Sequence, residues 1–74
     1  MVTLPVLKSK TVDRVLKRAG FSFERQKGSH RIYVRENTSI VIPWHNKDLK
    51  KETLRHIIKQ SGLTVKEFLE LIKG

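Results

Sequence analysis

The middle of the chain alternates apolar and polar side chains with a period of two, in three runs separated by short polar segments. The runs cover residues 21–26, 30–35 and 39–42. Between them lie Lys27-Gly28 and Glu36-Asn37-Thr38, which have the composition of hairpin turns. Alternation of this kind is typical of strands that bury one face. The sequence therefore predicts three antiparallel strands joined by two hairpins.

Apolar residues at spacings of three and four predict helices on both sides of the strands. Residues 9–19 and residues 51–61 each carry such a stripe with charged side chains opposite. Ser9 is expected to cap the first helix, and Gly20 is expected to end it in the left-handed conformation. A third helix starts at Thr64-Val65-Lys66-Glu67, because this segment matches the capping-box pattern.

The predicted order is helix, three strands, helix and short helix, which belongs to the α+β class. A chain of 74 residues has room for one core, so we expect residues 1–74 to form a single domain. The simplest packing lays the helices on one face of the sheet and leaves the other face open to solvent. Double-stranded RNA-binding domains share this order of elements, and we expect a fold of that kind.

The alternation also predicts which side chains face the helices. Ile32 and Val34 are apolar members of the second strand, so Tyr33, of opposite parity, is expected on the open face, where its ring could stack on an RNA base. His30 shares the parity of Ile32 and Val34, which favours a ring directed toward the helices, but near the end of a hairpin such a side chain can also reach solvent. The three phenylalanines assigned to the core are Phe21, Phe23 and Phe68.

Sixteen Lys and Arg against seven Asp and Glu give a net charge of +9. This charge attracts polyanions, and nucleic acid is the first partner to consider. The alternatives are that the lysines only keep the protein soluble, or that the partner is anionic lipid or an acidic protein. No cysteine is present, which excludes disulfides and thiolate metal sites. The segment from Met1 to Leu7 lacks the apolar run of a signal peptide, and no stretch approaches membrane-spanning length, so we expect a cytoplasmic protein.

The hairpin around His30 combines a histidine with several cations, which suits RNA cleavage. In that reaction a base takes the proton of a 2′-hydroxyl as the oxygen attacks the adjacent phosphate, while cations stabilise the added negative charge. His30 follows a flexible residue, Gly28, and a hydroxyl, Ser29. The cations of the same hairpin that we expect to bind the phosphate are Arg25, Lys27 and Arg31. The structural alternative is a histidine that only bonds a backbone carbonyl at the sheet edge.

Other chemistries find less support in the sequence. The three histidines lack the spacing of zinc motifs, and no phosphate-binding glycine loop is present, so we predict neither a metal nor an organic cofactor. His45 follows the third strand and is our candidate for protonating the leaving 5′-oxygen; the alternative is a loop residue that supports Trp44. His56 falls between apolar positions of the second helix and is expected to be a surface or packing residue.

Several blocks of sequence resemble the small HicA toxins in order and spacing, over nearly the whole chain. The blocks are Ala19-Gly20-Phe21, Arg25-Gln26-Lys27-Gly28-Ser29-His30, Ile42-Pro43-Trp44-His45, Thr53-Leu54-Arg55-His56-Ile57-Ile58-Lys59-Gln60-Ser61-Gly62-Leu63 and Phe68-Leu69. The resemblance implies a metal-independent ribonuclease that cleaves mRNA on a double-stranded RNA-binding-like fold, with His30 of the Gly-Ser-His motif as its catalytic group. It also implies a HicB antitoxin that covers the active site.

Two positions depart from the pattern of the family. Many relatives have a second histidine directly after the motif where this chain has Arg31, which argues against a two-histidine scheme within the motif and adds a phosphate ligand. A glycine before the Thr-Leu pair is replaced by Glu52, whose charge suits the N-terminal end of a helix.

Charge and an open sheet are also compatible with two other functions. A non-catalytic RNA- or DNA-binding module would bind nucleic acid in a salt-dependent manner and leave it intact. An adaptor for an acidic protein would use the same positive face without nucleic acid.

Overall fold

The computed structural model describes residues 4–74, which form an α+β fold. The elements are α1 (Ser9–Arg18), β1 (Ser22–Lys27), β2 (His30–Arg35), β3 (Thr38–Pro43), α2 (Lys51–Ser61) and α3 (Val65–Lys73). The predicted order of helices and strands is confirmed. Met1, Val2 and Thr3, the start of the segment expected not to be a signal peptide, lie outside the described residues. Within residues 4–74, no helix has both the length and the apolar character needed to cross a membrane.

The three strands form one antiparallel sheet in the order β1-β2-β3. Tyr33 pairs with Phe23 on one side and Ile40 on the other, so these side chains share a face. A β-bulge between Phe23 and Arg25 shifts the register of β1, and Arg25 therefore pairs with Ile32. Because the bulge adds one residue, Arg25 lies on the opposite face from Phe23.

The helices cover one face of the sheet, as predicted. Tyr33, Ile40 and Ile42 are fully buried on that face, whereas Val41, one residue out of phase, is 47% exposed. The core adds apolar side chains from the helices and the connecting segments: Leu4, Leu7, Val12, Val15, Leu16, Phe21, Leu49, Leu54, Ile57, Ile58 and Phe68. The sheet therefore has one buried face and one open face.

The predicted assignment of β2 to the two faces is wrong. Tyr33 is buried beneath the helices, and Ile32 pairs with the exposed Val41 on the open face. His30 has the parity of Ile32 and is exposed, so its ring is directed away from the covered face. The alternation was identified correctly, but the aliphatic residues Ile32 and Val34 lie half-buried on the open face, and Tyr33 is the buried residue of β2. Hydrophobicity alone therefore selected the wrong face. Phe23, expected in the core, is 42% exposed.

The sequence signals for the end of α1 and the start of α3 are confirmed, whereas the predicted N-cap of α1 is not. Gly20 adopts a left-handed conformation, with φ 96°, at the end of α1. There the Gly20 N–H donates to the Lys17 carbonyl, and the Phe21 N–H donates to the Leu16 carbonyl. Thr64 and Glu67 form the predicted capping box of α3. Ser9 is not the N-cap of α1, a position held by Lys8.

Two arginines bind the carboxyl ends of the helices. The Arg35 guanidinium donates to the carbonyls of Ala19 at 2.7 Å and Ser61 at 2.9 Å, joining the ends of α1 and α2. Arg18 donates to the Leu71 carbonyl at 2.7 Å, near the end of α3. A cation at the negative end of a helix dipole is stabilising. These two charges therefore serve the fold.

Candidate active site

A two-residue turn, Gly28-Ser29, joins β1 to β2 and positions His30 as the first residue of β2. Gly28 has φ 60° and Ser29 has no positive φ, as in a type II′ hairpin turn. The carbonyls of both turn residues accept hydrogen bonds. The Trp44 N–H donates to the Ser29 carbonyl at 2.6 Å, and Gln26 Nε2 donates to that of Gly28 at 3.0 Å. The backbone before His30 is thus held in place by the end of β3.

His30 lines a cleft at the edge of the sheet formed by β3, where residues of β2 and β3 meet α2. The cleft has a volume of about 350 Å³ and is lined by His30, Val41, Pro43, Glu52, Thr53, His56 and Ile57. Its volume lies near the lower end of the range for small-molecule sites, about 300–1,000 Å³. A cleft of this size can hold a small ligand or one unit of a larger one.

Arg25 and Lys27 lie on the same face as His30. Lys27 is the cross-strand partner of His30, and Arg25 is the partner of Ile32. Both cations are exposed, and Arg25 Nη1 also forms an ion pair with Glu24 Oε1 at 2.6 Å. The structure thus brings together three of the predicted site residues on the open face.

Arg31 does not flank this cleft, contrary to the sequence-based expectation. It pairs with Ile42 on the covered face. Its guanidinium lies 3.7 Å from the centre of the Trp44 ring and 5.1 Å from that of Phe23, and its Nε donates to Gln26 Oε1. Stacking on two rings and a hydrogen bond hold Arg31 at the side of the sheet opposite His30.

His45 lines a different cleft. This second cleft has a volume of about 250 Å³ and is formed by Lys8, Ser9, Lys10, Trp44, His45 and Asn46. The Ser9 hydroxyl, which donates to the Pro43 carbonyl at 2.6 Å, orders this junction between α1 and β3. The predicted proton donor therefore lies outside the cleft that contains His30.

Tyr33 is inaccessible to RNA because it is fully buried. Its hydroxyl donates to Asp13 Oδ1 on α1, and the other carboxylate oxygen pairs with Lys17 Nζ at 3.2 Å. Burial, together with the hydrogen bond to the carboxylate, raises the pKa of Tyr33 well above its ordinary value of 10.0. Tyr33 is thus a structural link between the sheet and α1, and its predicted place in an RNA surface is wrong.

Sequence reasoning missed the contribution of α2 to the cleft. Glu52 and His56 are one helical turn apart and, with Thr53 and Ile57, form the part of the cleft lining that α2 contributes. The only local signal was a polar strip beside the apolar stripe of α2, and such strips normally face solvent. Among residues 4–74, no group of three His, Cys, Asp or Glu side chains is arranged to hold a metal ion.

Comparison with known proteins identifies a family. The model of the HicA toxin family of bacterial toxin–antitoxin systems matches residues 9–63, which extend from the start of α1 to just beyond α2. A search of the curated proteins gave no match. The matched region contains both walls of the His30 cleft. The chain therefore belongs to the HicA toxin family of bacterial toxin–antitoxin systems.

Proposed function

We propose that this toxin is an endoribonuclease that cleaves mRNA with His30 as its general base. The observation that carries the proposal is the exposed His30 at a cleft of about 350 Å³, with Lys27 as its cross-strand partner. Membership of a toxin family gives the activity a biological role. We place this activity in the cytoplasm, where mRNA is the substrate.

The proposed reaction begins at the 2′-hydroxyl of the nucleotide in the cleft. His30 accepts its proton as the oxygen attacks the adjacent phosphorus. Lys27 and Arg25 bind the phosphate oxygens and stabilise the added negative charge, since both are exposed on the same face as His30. For Arg25, the phosphate would replace the carboxylate of Glu24. The Ser29 hydroxyl, directly before His30, is an additional hydrogen-bond donor to the same phosphate. No cofactor takes part in this proposal.

We further propose that a HicB-like antitoxin neutralises the toxin by covering this cleft. A protein that presents carboxylates to Lys27 and Arg25 would satisfy the charges that otherwise bind phosphate. Occlusion of a cleft of about 350 Å³ needs only one or two side chains from the partner. Inhibition would then require no change in the fold of the toxin.

Replacement of His30 by Ala tests the catalytic assignment. We expect cleavage by the purified variant to fall by at least about a hundredfold, because general-base catalysis contributes on that scale. RNA binding and the thermal unfolding midpoint should remain near wild-type values, since His30 is exposed. Electrophoresis of end-labelled RNA measures cleavage, and growth of cells that express each variant measures toxicity. Full cleavage by His30→Ala would rule the assignment out.

The open face also supports a second candidate function, a non-catalytic RNA-binding module. Its motivation is the pair of exposed cations, Arg25 and Lys27, beside half-buried Ile32 on a solvent-facing sheet. Salt-sensitive binding by the wild-type protein, with the RNA recovered intact, would favour this function over cleavage.

A further inference from the structure

We propose that His56 is the proton donor that releases the 5′-oxygen in the cleavage reaction. This inference rests on the proposed ribonuclease function and adds a second catalytic residue to it. His56 lies on α2, whereas His30 lies on β2, and the two side chains line one cleft. The tertiary fold thus brings together two histidines that are 26 positions apart in the chain.

The placement of His56 suits a catalytic group because its helix is rigid. Leu54, Ile57 and Ile58 anchor α2 in the core, and each is at most 3% exposed. Gly62, with φ 79°, ends the helix in the left-handed conformation. The side chain of His56 itself is exposed, and none of the hydrogen bonds within residues 4–74 involves its ring. The fold therefore fixes the backbone of His56 and leaves its imidazole free for a ligand.

The two walls of the cleft match the geometry of the reaction. In an in-line displacement the attacking and leaving oxygens lie on opposite sides of phosphorus. A base for one oxygen and an acid for the other must therefore approach from opposite sides. His30 on β2 and His56 on α2 would provide such a pair, because two different elements contribute them to the lining of one cleft of about 350 Å³.

The step is balanced without any further reactant. The 2′-oxygen forms a bond to phosphorus as its proton passes to neutral His30. The bond from phosphorus to the 5′-oxygen breaks as protonated His56 gives its proton to that oxygen. The products are a 2′,3′-cyclic phosphate and a 5′-hydroxyl, and exchange with water restores both histidines.

His56 fits this role better than His45 because of its position. His45 lies beyond the end of β3 in the separate cleft with Lys8 and Lys10. A phosphate bound at His30 within the cleft would lie next to α2. The ionisable residues that line this cleft are the two histidines and Glu52, which lies one turn before His56 on α2. Lys27, on β1, is the cross-strand partner of His30 on the side away from β3.

A sulfur substitution in the RNA provides the test. The cleavage site is first mapped on a natural RNA, and an oligonucleotide is then made with sulfur in place of the 5′-bridging oxygen at that site. A thiolate leaves without protonation, so a missing proton donor no longer matters. His56→Ala should cleave ordinary RNA at least about a hundredfold more slowly than wild type, yet cleave the sulfur-containing RNA at close to the wild-type rate. His30→Ala should be slow on both substrates.

His45→Ala serves as the matched control, since it removes another exposed histidine and should retain most activity on both substrates. The pH dependence gives a second readout: on ordinary RNA, His56→Ala should lose the decline of rate at high pH that marks a required acid. Circular dichroism verifies that α2 is intact.

Several results would overturn the inference. Equal slowing of His56→Ala on the two substrates would show a binding or structural role, and unchanged cleavage of ordinary RNA would show no role. Rescue of His45→Ala by sulfur would assign the proton donor to His45. In all three cases an inactive His30→Ala would leave the ribonuclease function standing, whereas a wild-type protein that cleaves no RNA would overturn both proposals.

Discussion

Tyr33 shows how one residue can resist interpretation from sequence. Aromatic residues are common on RNA-binding sheets, and its parity suggested exposure. The structure instead buries Tyr33 completely and directs its hydroxyl to Asp13 of α1. The partner of this hydroxyl is the carboxylate of Asp13 on the helix face next to the sheet, and only the packing of α1 brings the two groups together. A buried hydroxyl needs such an acceptor, because an unsatisfied polar group is costly.

Replacement of Tyr33 by Phe should affect stability in a pH-dependent manner. At pH 7 we expect the free energy of unfolding to fall by about 1–2 kcal/mol, since a hydrogen bond to a carboxylate is lost. Above pH 10 the unfolded state of the wild type releases the tyrosine proton while the folded state retains it, because the folded pKa is raised. This contribution is therefore complete below pH 10 and decreases above it, by at most about 1.4 kcal/mol per pH unit.

Urea unfolding of both proteins from pH 7 to pH 11 measures this difference. The stability gap between wild type and Tyr33→Phe should narrow above pH 10. A gap that is constant over this range would contradict the interpretation, since the lysines titrate alike in both proteins.

At the scale of the elements, the fold depends on how the helix ends meet the sheet. Helix and strand boundaries follow from local chemistry: glycine at Gly20 and Gly62, and the capping box at Thr64. The contacts that join one element to another do not follow from local chemistry. Arg35 projects from the end of β2 to bind the last carbonyls of α1 and α2 while its guanidinium covers the Phe21 ring at 4.3 Å.

Replacement of Arg35 by Lys should lower the free energy of unfolding by about 2 kcal/mol. Lysine keeps the charge but lacks the planar fork that bonds two carbonyls at once. Arg14→Lys, an exposed position on α1, is a control that leaves net charge unchanged and should shift stability by less than about 0.5 kcal/mol. Chemical unfolding provides both values. Equal stability of the two variants would show that the paired hydrogen bonds contribute nothing measurable.

At the scale of the whole molecule, the cationic side chains behind the net charge of +9 have different structural roles. Arg18 and Arg35 bind helix carbonyls, and Arg31 is held between two rings. Arg25 and Lys27 remain on the open face beside His30. The charge total alone predicted a polyanionic partner, and the fold decides which cations can reach it.

The salt dependence of RNA binding shows which cations contact phosphate. In the His30→Ala background, which prevents cleavage, Lys27→Ala should reduce the slope of log K against log salt by about 1, because one phosphate contact is lost. Lys66→Ala removes the same charge from an exposed position on α3 and should change the slope much less. Fluorescence anisotropy with a labelled RNA gives both slopes. Equal changes would indicate that net charge acts without a defined phosphate site.

The sequence by itself determined the elements, their order and the motif that contains His30. These follow from local periodicity, turn glycines and capping residues, which act between neighbours in the chain. Only the tertiary structure decided which face of β2 is buried, because Ile32 and Tyr33 are both suited to a core. It also decided that Arg31 lies on the face opposite His30 and that His56 lines the same cleft as His30. Those choices depend on which face of the sheet the helices cover and on the position of α2 beside β3. Both arise from contacts between residues far apart in the chain, so no local pattern encodes them.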